Sequence, residues 1–101
     1  MSDSSEAVIV EVTHAARKRV EQLGPGAAAA VEELRAELEQ TPTLGRRVRV
    51  LGDHAEVWVT RIEARADVPA LSVTYVHLPH PAPPTAAIVS VVPDDGNTEG
   101  P

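Results

Sequence analysis

The sequence has no cysteine and no phenylalanine, and its aromatic residues are one tryptophan and one tyrosine. Without thiols the chain can form no disulfide framework, no thiolate metal site and no cysteine nucleophile. Without phenylalanine, a core has to be built mainly from branched aliphatic side chains, most of which are valine here. A chain of 101 residues has room for one such core, so we expect a single small domain.

Long hydrophobic runs are missing as well, and residues 1–6 are polar and acidic. A membrane span needs about 20 mainly apolar residues, and a secretory signal needs a basic start followed by an apolar stretch. We expect neither of these segments, and the sequence predicts a cytoplasmic protein.

Basic residues are fewer than acidic ones, and the formal net charge is −6. This balance argues at first against nucleic-acid binding, because phosphate recognition relies on Lys and Arg. Five of the acids, however, lie near the chain ends, at Asp3, Glu6, Asp94, Asp95 and Glu99. Apart from Met1 these ends carry no large apolar side chain, so residues 1–6 and 94–101 are predicted to be disordered tails around a domain over residues 7–93. That domain holds 10 acids and 9 bases and is nearly neutral.

Helical periodicity occupies the first half of the chain. Residues 14–23 carry apolar side chains on one face and follow Thr13, a residue type that caps helices. A Gly-Pro-Gly break at residues 24–26 precedes a second apolar stripe over residues 27–40. Two helices joined by three residues are expected to form an antiparallel hairpin.

Beta-branched residues and two-residue alternation indicate strands elsewhere. The predicted strands cover residues 7–12, 46–51, 56–64, 71–78 and 86–92. Gly52 followed by Asp53 suits a hairpin turn, and the Pro-rich residues 79–84 predict a stiff loop. One strand, two helices and then three or four antiparallel strands predict an α+β domain with the first strand in the same sheet.

Four motifs, in this order, resemble the RelE/ParE superfamily, the toxin side of bacterial type II toxin–antitoxin pairs. They are the strand and Thr-capped helix of residues 7–23, LEQTP at 38–42, RVLGD at 49–53 and LSVTYV at 71–76. The last three of these segments resemble three features of the family: a helix end with leucine and proline, a leucine–glycine turn, and a tyrosine-arginine-valine-x-tyrosine strand. The resemblance spans roughly residues 7–93. It implies an α+β fold, a twisted antiparallel sheet with an N-terminal strand and a two-helix hairpin packed on one face.

The resemblance also implies catalytic candidates. Arg61 looks like the arginine of the strand before the tyrosine motif, and Tyr75 matches the motif's final tyrosine. Ser72 stands where ribonuclease members usually carry an arginine, and residues 91–95 lack the His or Arg and the Tyr of many active members. Cleavage of mRNA needs cations for the developing charge and a group that activates the ribose 2′-hydroxyl. Whether the chain is an enzyme stays open, and an active one would be a ribosome-dependent endoribonuclease.

Arginines of the strand region are candidates for nucleic-acid binding. They are Arg46, Arg47, Arg49 and Arg65, together with Arg61. Gathered on the sheet face opposite the helices, they would hold a polyanion. Spread over the sheet, they would be a solvated face that protects its edge.

The remaining polar and aromatic residues favour structural roles. Trp58 is expected in the core, as is Tyr75 if it is not catalytic. The four histidines show no metal-ligand spacing, so we expect them to be exposed and expect no metal and no cofactor. The second helix carries four glutamates around Arg35. They form either a solvent-exposed helix face or a surface that binds a basic antitoxin segment.

Two functions are consistent with these patterns. The first is a toxin that attacks ribosome-bound mRNA or DNA gyrase and is bound by a cognate antitoxin. The second is a non-catalytic protein-binding module on the same scaffold.

Overall fold

The computed structural model describes residues 8–65, 68–79 and 83–94. Its elements in chain order are β1 (Ile9–Val12), α1 (His14–Leu23), α2 (Pro25–Gln40), β2 (Arg46–Leu51), β3 (Ala55–Ile62), β4 (Leu71–Leu78) and β5 (Thr85–Pro93). The five strands form one sheet in the order β1-β5-β4-β3-β2. The predicted α+β architecture, with the N-terminal strand in the sheet, is confirmed.

Strand β1 pairs in parallel with β5, while all other pairs of neighbouring strands are antiparallel. The sheet is therefore mixed rather than wholly antiparallel. Parallel neighbours require a long connection, and here the two helices and three strands between β1 and β5 supply it.

The helix pair forms as predicted, with a shorter link. Helix α1 has the expected bounds, and the Thr13 hydroxyl oxygen accepts a hydrogen bond from the Ala16 N–H at 3.3 Å. Helix α2 begins at Pro25, two residues before the predicted start, because proline fits the first helical position, where no N–H is needed. The link is Gly24 alone, whose φ of 104° suits glycine.

Strands β2 and β4 match their predicted bounds, while the ends of β3 and β5 shift by one or two residues. The predicted turn between β2 and β3 forms, with Gly52 at a φ of 61°. Residues 1–7 and 95–101 and the centre of the Pro-rich loop lie outside the described residues. Asp94 is described, and its N–H donates to the Ala70 carbonyl at 2.7 Å.

Both helices pack on one face of the sheet. Every second residue of β4 is buried on that face, and the largest fully buried side chains are Tyr75, Leu38, Leu71, Ile88, Val73 and Val91. Strand pairing places the other residues of each strand on the opposite side, which no described helix covers. We call that side the open face. On β3 and β4 it consists of Ala55, Val57, Val59, Arg61, Ser72, Thr74, Val76 and Leu78.

The loop from α2 to β2 passes close against the sheet at Gly45. A β-carbon added there would lie 2.3 Å from the carbonyl oxygen of Val59, well inside van der Waals contact. Only a residue without a side chain fits this approach.

We expect Gly45→Ala to destabilise the protein by about 1–3 kcal/mol, because the loop or β3 must move to relieve the overlap. Thr43→Ala, an exposed change in the same loop, serves as the control and should leave stability nearly unchanged. Urea unfolding followed by circular dichroism measures both variants. Equal midpoints for Gly45→Ala and the wild type would contradict the close approach.

Candidate nucleic-acid interface

Three arginines share the open face along the β2–β3 side of the sheet. Arg46 pairs with Val59 and Arg49 pairs with Val57, and both partners lie on the same side as Arg61. Arg46 and Arg61 are diagonal neighbours, a relation that separates residues by about 7–8 Å. Positive charge therefore follows one edge of this face.

A register shift between Arg47 and Arg49 explains how Arg46 and Arg49 reach the same side. Such a bulge adds one residue and resets the alternation of the strand. Arg47 pairs with Trp58 on the helix-covered side instead, where its guanidinium lies 3.4 Å from Glu56.

Arg65 also stays off the open face. It follows the end of β3, and its guanidinium forms a 2.7 Å ion pair with Glu33 of α2. The hydrogen bond from Arg65 lowers the pKa of the Glu33 carboxyl. Of the five candidate arginines, the structure places Arg46, Arg49 and Arg61 on the open face, and Arg47 and Arg65 elsewhere.

One row of paired residues across the open face contains Ser72, a position compared above with the family that the sequence resembles. Ser72 of β4 pairs with Arg61 on one side and with Val92 of β5 on the other. In this row of described residues, Arg61 is the one cation. Its Nε lies 3.2 Å from the Asp94 carboxylate just beyond β5.

Tyr75 lies on the opposite, helix-covered face and is fully buried. Its hydroxyl donates to the Pro42 carbonyl at 2.8 Å and accepts from the Gly45 N–H at 3.2 Å. Burial raises the pKa of the Tyr75 hydroxyl, with the Gly45 hydrogen bond opposing the shift. The structure therefore places Tyr75 apart from Arg61, in the position that a core role predicts. A catalytic role for either residue stays a prediction.

A buried polar cluster that the sequence patterns missed lies beside Tyr75. His77 is 6% exposed, which corrects the expectation that the histidines are exposed, although His14 and His54 are. His77 Nδ1 is 3.5 Å from a Glu56 oxygen, and it has no hydrogen-bond partner among the described residues. The alternation of β4 was the available signal, because residue 77 continues the buried side of 73 and 75.

Trp58 joins this cluster, where it is half-buried and packs against the core, rather than lying within it as the sequence predicts. Its indole N–H donates to Glu56 at 3.1 Å, and its ring stacks on Tyr75 with centroids 6.3 Å apart. The hydrogen bond from Trp58 is the main cause that lowers the pKa of the Glu56 carboxyl, against the opposing effect of burial. Contacts with His77 and Arg47 lower it further.

The acidic side of α2 carries one basic residue, as the sequence predicted. Arg35 holds Glu32 at 2.7 Å and Glu39 at 2.6 Å. Next to α2, a cleft of about 340 Å³ opens toward the end of β3. Its lining includes Glu33, Glu37, Leu44, Arg61, Glu63 and Arg65.

Within the part of the chain that the structure describes, no three histidine, aspartate or glutamate side chains are grouped to hold a metal ion. None of the described helices is long and apolar enough to cross a membrane.

No protein-family model matches the chain, and no curated protein does. Among solved structures, the chain is similar to E. coli toxin RelE, determined in the free state as a mutant with two arginines replaced by alanine. The similarity has a TM-score of 0.62 and covers 91% of this chain and 88% of that chain. The fold is RelE-like. Sequence identity is 13%, so the likeness is one of fold.

Tyr75→Phe separates the two roles predicted for this residue. We expect a loss of about 1–3 kcal/mol in the free energy of unfolding, because the Pro42 carbonyl and the Gly45 N–H lose their partner inside the protein. Chemical denaturation measures this loss. Full stability of the Tyr75→Phe variant would contradict the structural role of the hydroxyl.

The lowered pKa of Glu56 predicts how stability depends on pH. A carboxyl with a lower pKa in the folded state adds stability above its unfolded value of about 4.5 and loses that contribution as the pH falls further. We expect the stability advantage of the wild type over Glu56→Gln to shrink between pH 7 and pH 3 (about the titration range of a carboxyl). Denaturant unfolding across this range measures it. Glu37→Gln at an exposed site removes the same charge and is the matched control for loss of a carboxylate alone. An advantage over Glu56→Gln that stays constant with pH would contradict the prediction.

Proposed function

We propose that this protein is the toxin component of a bacterial type II toxin–antitoxin pair, that it acts in the cytoplasm, and that its open face contacts ribosome-bound mRNA. One observation supports this most strongly. A RelE-like fold presents Arg46, Arg49 and Arg61 together on the sheet face that its helices leave uncovered.

The arrangement of these arginines suits an extended polyanion. Guanidinium groups bind phosphate through paired N–H donors and remain charged at every physiological pH. Arg49, Arg46 and Arg61 follow the edge one after another, so a strand of RNA laid along it would place successive phosphates beside successive arginines. Ser72 and Thr74 on the adjoining strand are small and carry hydroxyls, which leaves room for the sugar and offers it hydrogen bonds.

Cleavage would require more than this edge supplies. Arg61 is the one cation of its row among the described residues, and the Tyr75 hydroxyl lies on the other face. We therefore propose Arg61 as the residue nearest the reacting phosphate and Tyr75 as a positioning residue. Growth inhibition through gyrase, which needs no ribonuclease residues, is the alternative mechanism.

An antitoxin is the partner that this proposal implies. The cleft beside α2 combines the exposed side chain of Leu44 with the carboxylates of Glu37 and Glu63. Its two arginines, Arg61 and Arg65, already form ion pairs with Asp94 and Glu33. A basic segment with an apolar anchor would complement this cleft in charge and polarity.

Induced expression in a bacterial host tests the function. We expect growth arrest, relieved when Arg46, Arg49 and Arg61 are all changed to alanine. The matched control removes the same amount of charge from the exposed side of α1, by changing Arg17, Lys18 and Arg19 to alanine. Arrest should persist in this control, because α1 lies on the other side of the sheet. Primer extension on cellular mRNA and a DNA supercoiling assay distinguish ribonuclease action from gyrase inhibition.

Normal growth with folded protein and no antitoxin would overturn the toxin proposal. It would favour the second candidate, a non-catalytic protein-binding module. The exposed edge strand β2 supports that alternative, since Val48, Val50 and Leu51 are each more than 40% exposed. Such a strand edge is open to pairing with a partner strand.

A further inference from the structure

The Arg61 guanidinium already forms an ion pair within the protein, with the carboxylate of Asp94. Its Nε lies 3.2 Å from the Asp94 carboxylate, and the two side chains are 52% and 32% exposed. The main chain fixes the position of Asp94, because its N–H donates to the Ala70 carbonyl and the preceding Pro93 pairs with Leu71. The carboxylate is thus held two residues beyond Val92, the residue that ends the row of Arg61 and Ser72 on β5.

Carboxylate and phosphate compete for the same donors of a guanidinium. A phosphate that approaches Arg61 meets one donor already engaged and a negative charge directly beside the site. In the sequence, residues 94–99 carry three acids, Asp94, Asp95 and Glu99, and no base.

We propose that Asp94 is a built-in competitor that weakens the binding of RNA to the open face by occupying Arg61. This inference rests on the proposed function, because it assigns the regulation of the same arginine surface. RNA binds by displacing the carboxylate, so the affinity of the protein is lower than its three arginines alone would give.

Exposed ion pairs of this kind are weak, which sets the size of the effect. Removing the carboxylate should tighten binding about two- to fivefold, the range that corresponds to such a pair. It should also make the salt dependence steeper. Each additional phosphate contact to a single strand raises the slope of log affinity against log salt by about 0.7.

The experiment uses the full chain and a fluorescein-labelled oligouridine, with binding followed by fluorescence anisotropy over a series of salt concentrations. The variants are Asp94→Asn and, as the matched control, Asp53→Asn in the exposed β2–β3 turn. Both remove one negative charge, but only the first releases Arg61. We expect tighter binding and a steeper salt slope for Asp94→Asn, with Asp53→Asn close to the wild type.

A double-mutant cycle with Arg61→Ala completes the test. If Asp94 acts through Arg61, Asp94→Asn gives no gain in an Arg61→Ala background. A gain that persists there, or equal affinities of the Asp94→Asn and Asp53→Asn variants, would overturn the competitor while leaving RNA binding intact. If no variant binds the oligouridine even at low salt, the arginine surface does not bind RNA, and the mRNA contact of the proposed function fails together with the competitor.

Discussion

The hydroxyl of Tyr75 joins strand β4 to the loop between α2 and β2, and the position of β2 depends on this link. It is fully buried, and it uses both hydrogen bonds on the loop between α2 and β2, one to Pro42 and one from Gly45. Gly45 directly precedes β2, so these bonds determine where that strand begins. The start of β2 in turn sets its register on β3 and, with the bulge, the side on which Arg46 and Arg49 lie. A buried hydroxyl that lacks hydrogen-bond partners destabilises a protein by more than a typical hydrogen bond stabilises it in net terms. The position of the α2–β2 loop and the burial of the Tyr75 ring therefore depend on each other.

The same architecture separates the charges of the chain. Arg35 holds two glutamates and also donates to the Val10 carbonyl at 3.4 Å, which ties α2 to β1. The pairing of Arg65 with Glu33 keeps a further arginine on the helix side. What remains on the open face is basic along β2 and β3. A domain that is nearly neutral in total can therefore still present a positive edge to an anionic partner.

Much of this fold follows from local patterns. The period of 3.6 residues located both helices, and Thr13 marked the start of α1, because capping and amphipathicity are local properties. The Gly52 turn and the bounds of β4 were equally local. The parallel pairing of β1 could not be read in this way, since it depends on where the chain arrives after the helices and three strands. The burial of His77 was accessible from the alternation of β4, but the polarity of the side chain favoured exposure.

The candidate site was predictable in part, for a similar reason. Residue types indicated arginines as the binding groups. The face on which Arg46, Arg47 and Arg49 lie depends on the bulge in β2, and no residue type in that strand predicts a bulge. The contacts of Arg61 with Asp94 and of Arg65 with Glu33 join residues more than 30 positions apart. Such pairs form only once the sheet and α2 have packed.

The geometry around Arg61 bears on whether the open face is a binding surface or a reaction centre. Stabilising a transition state requires several donors that converge on the same developing charge. Arg46, Arg49 and Arg61 instead follow a strand edge, and the neighbour of Arg61 across the sheet is Ser72. Spacing along an edge favours contacts to successive groups of one extended ligand. Under the proposed function, the open face would therefore act first as a binding surface, and any chemistry on the bound strand would need further groups supplied by the target.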